Sequence, residues 1–218
     1  MDEIVGNLID LCAIIMLLLS LLAMAAATMG QLLKAFALQS LFLTILALTL
    51  AFSEGEGELL IMACITFAVK VVLIPWFLKY TTEHIKTGRE VDSSIGIPSS
   101  LILCAVLIMV AYFVTAPILD SFDTLTRNCL AISLSIVFIG LFMMVTRKRA
   151  MTEAIGLLIM ENGLFLGILS ISHGMPLLIE LGIFFDVLMI SVIIGIFAFR
   201  ISRTFNSLDT SFMRRLKD

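Results

Sequence analysis

Three ionisable residues stand in runs of sequence that are otherwise almost entirely apolar. Lys70 follows Ile65-Thr66-Phe67-Ala68-Val69. Glu161 follows Gly156-Leu157-Leu158-Ile159-Met160. Asp186 follows Ile183-Phe184-Phe185. A charged side chain at the centre of a membrane helix costs ~2.5–3.5 kcal/mol on insertion scales, so it persists only where it faces protein, water or an opposite charge. The chemistry open to such groups is the passage of protons or small cations: two carboxylates at similar depth on neighbouring helices can form a relay through water, and a lysine can act as a charge switch. The same three groups would serve equally as ion pairs or hydrogen bonds that only hold helices together.

Weaker polar positions surround these three. Asn162 directly follows Glu161, and Gln39 is followed by Ser40. Both amides suit interhelical hydrogen bonding. Lys34 lies near a helix start, where a long side chain can reach the membrane surface. Glu180 is a candidate exit group on the outer side, Glu153 lies at the start of the sixth span, and Asp10 lies in the first. We take Lys70, Glu161, Asp186, Asn162, Gln39, Glu180 and Lys34 as candidate members of a proton or ion pathway. Pro75 follows Lys70 by five residues and lacks the amide donor that the Val71 carbonyl would use, which predicts a kink or hydrated break there.

These positions are informative because of the background they stand in. Of 218 residues, 61% are hydrophobic and only 14% charged, and the mean hydropathy is +1.14. A soluble domain carries roughly 25% charged residues, so this composition cannot build a water-facing surface. It argues against a soluble enzyme, a nucleic-acid binder, a disordered tail and a disulfide-rich secreted domain. Cys12, Cys64, Cys104 and Cys129 are widely spaced, and neither His84 nor His173 has a zinc-like spacing to any of them. No metal, iron–sulfur or other cofactor is expected. Phosphate-loop, dinucleotide-binding and hydrolytic motifs are missing, so no catalytic centre is expected within the chain.

The elements that must carry these residues are membrane-spanning helices, each of about 20 apolar residues. Seven are expected, at roughly 4–26, 29–52, 58–80, 99–119, 128–146, 152–172 and 176–200. The fold class is therefore an all-α, multi-pass transmembrane bundle. The acidic start Met1-Asp2-Glu3 does not read as a cleavable signal. Loop 53–57, Ser-Glu-Gly-Glu-Gly, and turn 173–176 carry no Lys or Arg. By contrast, loop 81–98, the Arg147-Lys148-Arg149 connection and the tail after Arg200 are basic. By the positive-inside bias the N-terminus lies outside and the C-terminus on the cytoplasmic side of the cell membrane.

An internal repeat is also expected. A shift of 118 residues lays Leu59-Leu60-Ile61 on Leu177-Leu178-Ile179. A shift of 123 lays Leu41-Phe42-Leu43 on Leu164-Phe165-Leu166 and Gln39 on Asn162. An odd number of crossings per unit needs one extra helix between two parallel copies. The expected organisation is a first three-helix repeat with its cytoplasmic loop over 1–98, a linker helix over 99–127, a second three-helix repeat over 128–200 and a cytoplasmic tail over 201–218.

The stretch Gly156-Leu-Leu-Ile-Met-Glu-Asn-Gly163, with Leu178-Ile-Glu-Leu-Gly-Ile183, Asp186 and Arg200, resembles the E subunit of hydrogenase-4 and formate hydrogenlyase complexes, and the resemblance takes in Gln39-Ser40 and Val69-Lys70-Val71 with Pro75. The C-terminal half is similar to the K subunit of respiratory complex I and to the C subunit of multisubunit sodium/proton antiporters. Their Gly-Leu-Glu-x-Met-x-Asn pattern has Leu158 at its glutamate position here, with a carboxylate one turn on at Glu161. Their second membrane glutamate falls at Asp186. The resemblance implies a non-catalytic subunit in the membrane arm of a group 4 NiFe hydrogenase, contributing to proton or sodium translocation. It implies partners among antiporter-like membrane subunits and peripheral NiFe and iron–sulfur subunits, within the lipid bilayer and without nucleic acid. A cation/proton antiporter subunit and a structural adaptor between the two arms are the alternatives.

Overall fold

The structure is a computed structural model, and it describes residues 2–55, 57–84, 91, 95–119 and 124–171. Helix α1 runs Asp2–Ala25, α2 Met29–Glu54, α3 Gly57–Thr66, α4 Ile74–His84, α5 Ile97–Leu119, α6 Thr124–Thr146 and α7 Ala150–Ile171. A π-helical segment, Phe67–Leu73, joins α3 to α4, so these three pieces form one continuous span. The chain is a multi-pass membrane protein: among the described residues six spans are long and apolar enough to cross a bilayer, and they match the first six expected from sequence. The seventh expected span, 176–200, and the tail, 201–218, lie outside the described residues, and so do Glu180 and Asp186.

Local chemistry fixes the helix ends. Thr28 caps α2: its hydroxyl accepts from the Gln31 amide, while the Gln31 side chain accepts from the Thr28 backbone. That reciprocal pairing satisfies two amides that a helix start leaves without partners. At the other end Gly55 takes φ 71°, a left-handed conformation that costs a residue without Cβ little, and its N–H closes on the Ala51 carbonyl.

The third span departs from the expected kink at Pro75. The distortion lies ahead of the proline and is a widening of the helix, in which the Ile74 N–H bonds the Val69 carbonyl five residues back. A proline removes one bond of the α-ladder, and a π-register is one way the preceding turns absorb that loss. Lys70 sits at the centre of this widened segment.

The bundle is built on α6 and α7, which approach closely enough to require glycine. A Cβ on Gly140 would meet the Met160 backbone nitrogen at 2.6 Å, and one on Gly163 would meet the Val137 nitrogen at 2.9 Å. The GxxxG pair Gly163/Gly167 thus faces α6, with Gly167 against Ser133. Helix α1 packs on α2 and α6, α2 packs on α7 and on the π-segment, and α5 packs on α6 and α1. In contrast, α5 leaves Ile102, Met109 and Phe113 largely exposed, as a helix bordering lipid does.

Replacing Gly140 with alanine should destabilise the protein by about 1–3 kcal/mol through overpacking against a backbone that has no room to give. Gly30→Ala, where no atom lies within 4 Å of the added carbon, should leave the melting temperature unchanged or raised. Thermal unfolding of the two detergent-solubilised variants checks the contrast, and equal melting temperatures would contradict this account of the α6–α7 contact.

Candidate functional site

Four spans meet at one buried polar cluster. The π-segment contributes Lys70, α7 contributes Glu161 and Asn162, α2 contributes Gln39 and Ser40, and α1 contributes Ser20. All six are buried, with Lys70, Asn162, Ser20 and Ser40 at 0% exposure. On α7, Glu161 and Phe165 share a face four residues apart, while Asn162 is turned about 100° from Glu161 toward α2. One helix therefore addresses two neighbours at the same depth.

The Lys70 ammonium has three recorded neighbours on α7. Its Nζ lies 3.3 Å from Glu161 Oε1. It donates to Asn162 Oδ1 at 3.2 Å. It also lies 5.3 Å from the centre of the Phe165 ring, within the range in which a cation is attracted by an aromatic face. The π-widening belongs to the same span that delivers this lysine, so the register that Pro75 perturbs is also the register that aims Nζ at α7.

From Asn162 the polar contacts continue away from the charge. Asn162 Nδ2 donates to Gln39 Oε1 at 3.3 Å and to Ser40 Oγ at 3.0 Å. Gln39 Nε2 donates to Ser20 Oγ at 2.7 Å and to the Met16 carbonyl at 3.4 Å. Ser20 Oγ in turn donates to the Met16 carbonyl at 2.9 Å. Both amide groups use both N–H donors and have their oxygen occupied, which is what burial away from water demands.

Of the residues expected from sequence, Lys70, Glu161, Asn162 and Gln39 come together here. Lys34 is exposed on α2 and lies outside the cluster. Ser20, Phe165 and the Met16 carbonyl were not expected. A register argument finds the last of them: in the α1–α2 hairpin, Met16 lies nine residues before the end of α1 and Gln39 ten after the start of α2, so they share a depth. A smaller polar contact links α1 to α6, where the Cys129 thiol lies 3.7 Å from Asp10 Oδ1.

Arg147 belongs to the basic connection after α6, yet it is only 3% exposed. Its Nη2 donates to the Met24 carbonyl at 2.6 Å, in the last turn of α1. Burial pushes the Arg147 guanidinium below its ordinary value. The arginine therefore closes the end of α1, where the helix dipole favours a cation, and of the three basic residues in this connection Lys148 is the exposed one.

Comparison with known proteins gives relatives that match along nearly the whole chain. The chain is 28% identical over 214 residues to hydrogenase-4 component E of Escherichia coli, covering 98% of this chain and 97% of the relative. The same figures hold for hydrogenase-4 component E of Shigella flexneri. It is 27% identical over 212 residues to an uncharacterized protein of Mycobacterium tuberculosis, covering 97% of this chain and 96% of that one. The resemblance to the E component carried by the Gly156–Gly163 stretch thus extends from end to end. No family model matches the chain, and no solved structure matches it.

Removing one partner of a buried ion pair leaves a charge in a medium that cannot solvate it. Lys70→Met and Glu161→Leu should therefore each destabilise the protein by about 3–5 kcal/mol, while the double variant should recover most of the loss. A double-mutant cycle on thermal unfolding in detergent checks this, and additive losses would show that the two side chains do not depend on each other.

Proposed function

We propose that this chain is a non-catalytic membrane-arm subunit of a hydrogenase complex of the hydrogenase-4 or formate hydrogenlyase type, in which it contributes buried charges to ion translocation coupled to hydrogen metabolism. The observation that carries the reading is the Lys70–Glu161 pair, 3.3 Å apart between two spans and enclosed by polar groups from two more. A carboxylate and an ammonium at mid-membrane form a unit whose charge state changes when the carboxylate takes up a proton. Such a change alters the attraction between the third span and α7. The end-to-end similarity to hydrogenase-4 component E supplies the setting, since those proteins are named as hydrogenase components. Peripheral subunits carrying the NiFe and iron–sulfur centres, and antiporter-like membrane neighbours, would be the partners.

Asp186 and Glu180 belong to this reading as further groups of the pathway, on the strength of their position in an apolar run of sequence. The N-terminus outside and C-terminus inside follow from the loop charges. The two-repeat organisation, with boundaries at 98, 127 and 200, finds support in packing. Helices that the repeat makes equivalent touch each other, α1 on α6 and α2 on α7. Gln39 and Asn162, which the 123-residue shift superposes, share a hydrogen bond. Equivalent residues meet in this way when two copies are related by an axis running between them.

The test is proton uptake by sealed membrane vesicles containing the whole complex, normalised to hydrogen turnover in the same preparation. Glu161→Gln keeps the shape and removes the charge, and Lys70→Ala removes the counter-charge. Each should lower uptake per hydrogen by at least about tenfold while the complex still assembles. Wild-type coupling in both variants, with normal assembly on native gels, would remove the ion-path role. Loss of assembly alone would favour a purely structural pair.

A further inference from the structure

The amide chain that runs from α1 to Lys70 has a direction. Beginning at the ammonium, each contact is a donor facing an acceptor in the same sense: Lys70 to Asn162 Oδ1, Asn162 Nδ2 to Gln39 Oε1, Gln39 Nε2 to Ser20 Oγ, Ser20 to the Met16 carbonyl. Each carboxamide therefore turns its oxygen toward the lysine and its NH2 group away from it. Reversing Asn162 would set its NH2 against the ammonium. Reversing Gln39 would set its NH2 against the Asn162 NH2 and its oxygen on Ser20, whose hydroxyl hydrogen already bonds the Met16 carbonyl. The orientation of the whole chain is thus coupled from its first link to its last.

A carboxamide has no proton to exchange in the range where proteins work, so this chain is not a proton wire. Its oriented dipoles do something else: they present negative ends to a cation. Gln39 does this at a distance, since its recorded contacts are Asn162, Ser20 and Met16 and none is to Lys70 or Glu161. We infer that Gln39 is a positioning residue for the Lys70–Glu161 pair, acting through Asn162 to hold Lys70 as a fixed ammonium, so that Glu161 is the member whose charge changes during coupling. This rests on the reading that the pair carries the coupling. It divides the cluster into a support, formed by α1, α2 and Asn162, and a working pair across the third span and α7.

The groups around the pair fit this division. Lys70 is a charged group set against Glu161. Helix α2 offers Gln39 and Ser40 to the adjacent Asn162. Helix α6, on the far side of α7, offers Ser133, Ile136 and Val137 to Gly163 and Gly167. Neutral groups thus back the pair from α2 and from α6.

Two substitutions at Gln39 separate positioning from packing, because the two roles predict opposite orders. Gln39→Leu keeps the size and apolar fit but removes the acceptor that orients Asn162. Gln39→Glu keeps that acceptor and, in its protonated form, also the donor to Ser20. If Gln39 only fills space in an apolar bundle, leucine is tolerated and glutamate is not. If it positions Lys70, Gln39→Leu lowers proton uptake per hydrogen by roughly tenfold, the factor that loss of one buried hydrogen bond corresponds to, and Gln39→Glu restores it to within about twofold. The measurement uses vesicles holding the whole complex, with Glu161→Gln run alongside. Coupling that survives Gln39→Leu, or that fails equally in both Gln39 variants, overturns the inference. If Glu161→Gln itself couples normally, the ion-path reading has failed, and thermal unfolding of the complex then decides the chain on its own. A lower melting temperature for Gln39→Leu than for Gln39→Glu supports the oriented chain, and the same or reverse order overturns it.

Discussion

An ammonium group at the middle of a membrane bundle has to be answered by oxygen atoms or an aromatic face, because lipid offers neither. In this protein the demand falls on one point, the Lys70 Nζ, and the architecture around it can be traced to that demand. Glu161, Asn162 and Phe165 answer it from a single helix, since positions i, i+1 and i+4 of α7 cover just over a quarter of its circumference. For that face to be at the right depth and rotation, α7 must be held without play. The glycine contacts with α6 do this: Gly140 and Gly163 let two backbones approach to distances at which any side chain would collide. The close-packed apolar pair and the polar cluster are therefore two sides of one helix, one fixing it and the other using it.

The cluster contributes specificity more than stability. A buried ion pair recovers little of what desolvating its two charges costs, and an apolar pair of similar volume would often serve the fold as well. What the arrangement does secure is a unique mutual register of four spans. In a bundle whose surfaces are otherwise Leu, Ile, Met and Phe, many rotations of a helix bury similar area. Only one lets Ser20, Gln39, Asn162 and Lys70 all find partners at once. A half-satisfied network is worse than none, and this makes the four spans interdependent even though α1 and the third span share few direct contacts.

The sequence disclosed the spans and the depth of the charges because both are written in hydropathy, which varies strongly between Lys70 or Glu161 and their neighbours. It disclosed Gln39 and Asn162 for the same reason, and even paired them through the 123-residue repeat, though what a shared position in a repeat means physically is visible only when the two amides are seen bonded. Ser20 was silent because a hydroxyl in a helix can bond its own carbonyl four residues back, as it does to Met16, and so carries no obligation to a partner. Phe165 was silent because a phenylalanine in an apolar run suits lipid as well as it suits a cation. Pro75 announced a disturbance but not its form, since a missing amide can be absorbed as a kink, a hydrated gap or a widened turn, and the surrounding packing decides which. Arg147 reads from sequence only as part of a basic connection. Its position one residue past α6 hides that the end of α1 lies beside it.

The widened turn at Lys70 bears on how the cluster can work. A π-segment is a rare register compared with the α-helix on either side; here Pro75 stands just past its C-terminal end and Lys70, with its contacts to α7, at its centre. Those two features differ in kind. The proline is covalent and constant. The pull of Glu161 on Lys70 depends on the charge of the carboxylate and weakens when a proton neutralises it. A third span whose π-segment carries one end of an electrostatic contact is therefore exposed at that segment to the one event that the contact can undergo. The amide chain limits that sensitivity. With Gln39 and Ser40 of α2 holding Asn162, the Asn162 oxygen stays on the ammonium whatever the state of Glu161, which confines the response to the face between the third span and α7 and leaves α1 and α2 as the frame against which that face moves.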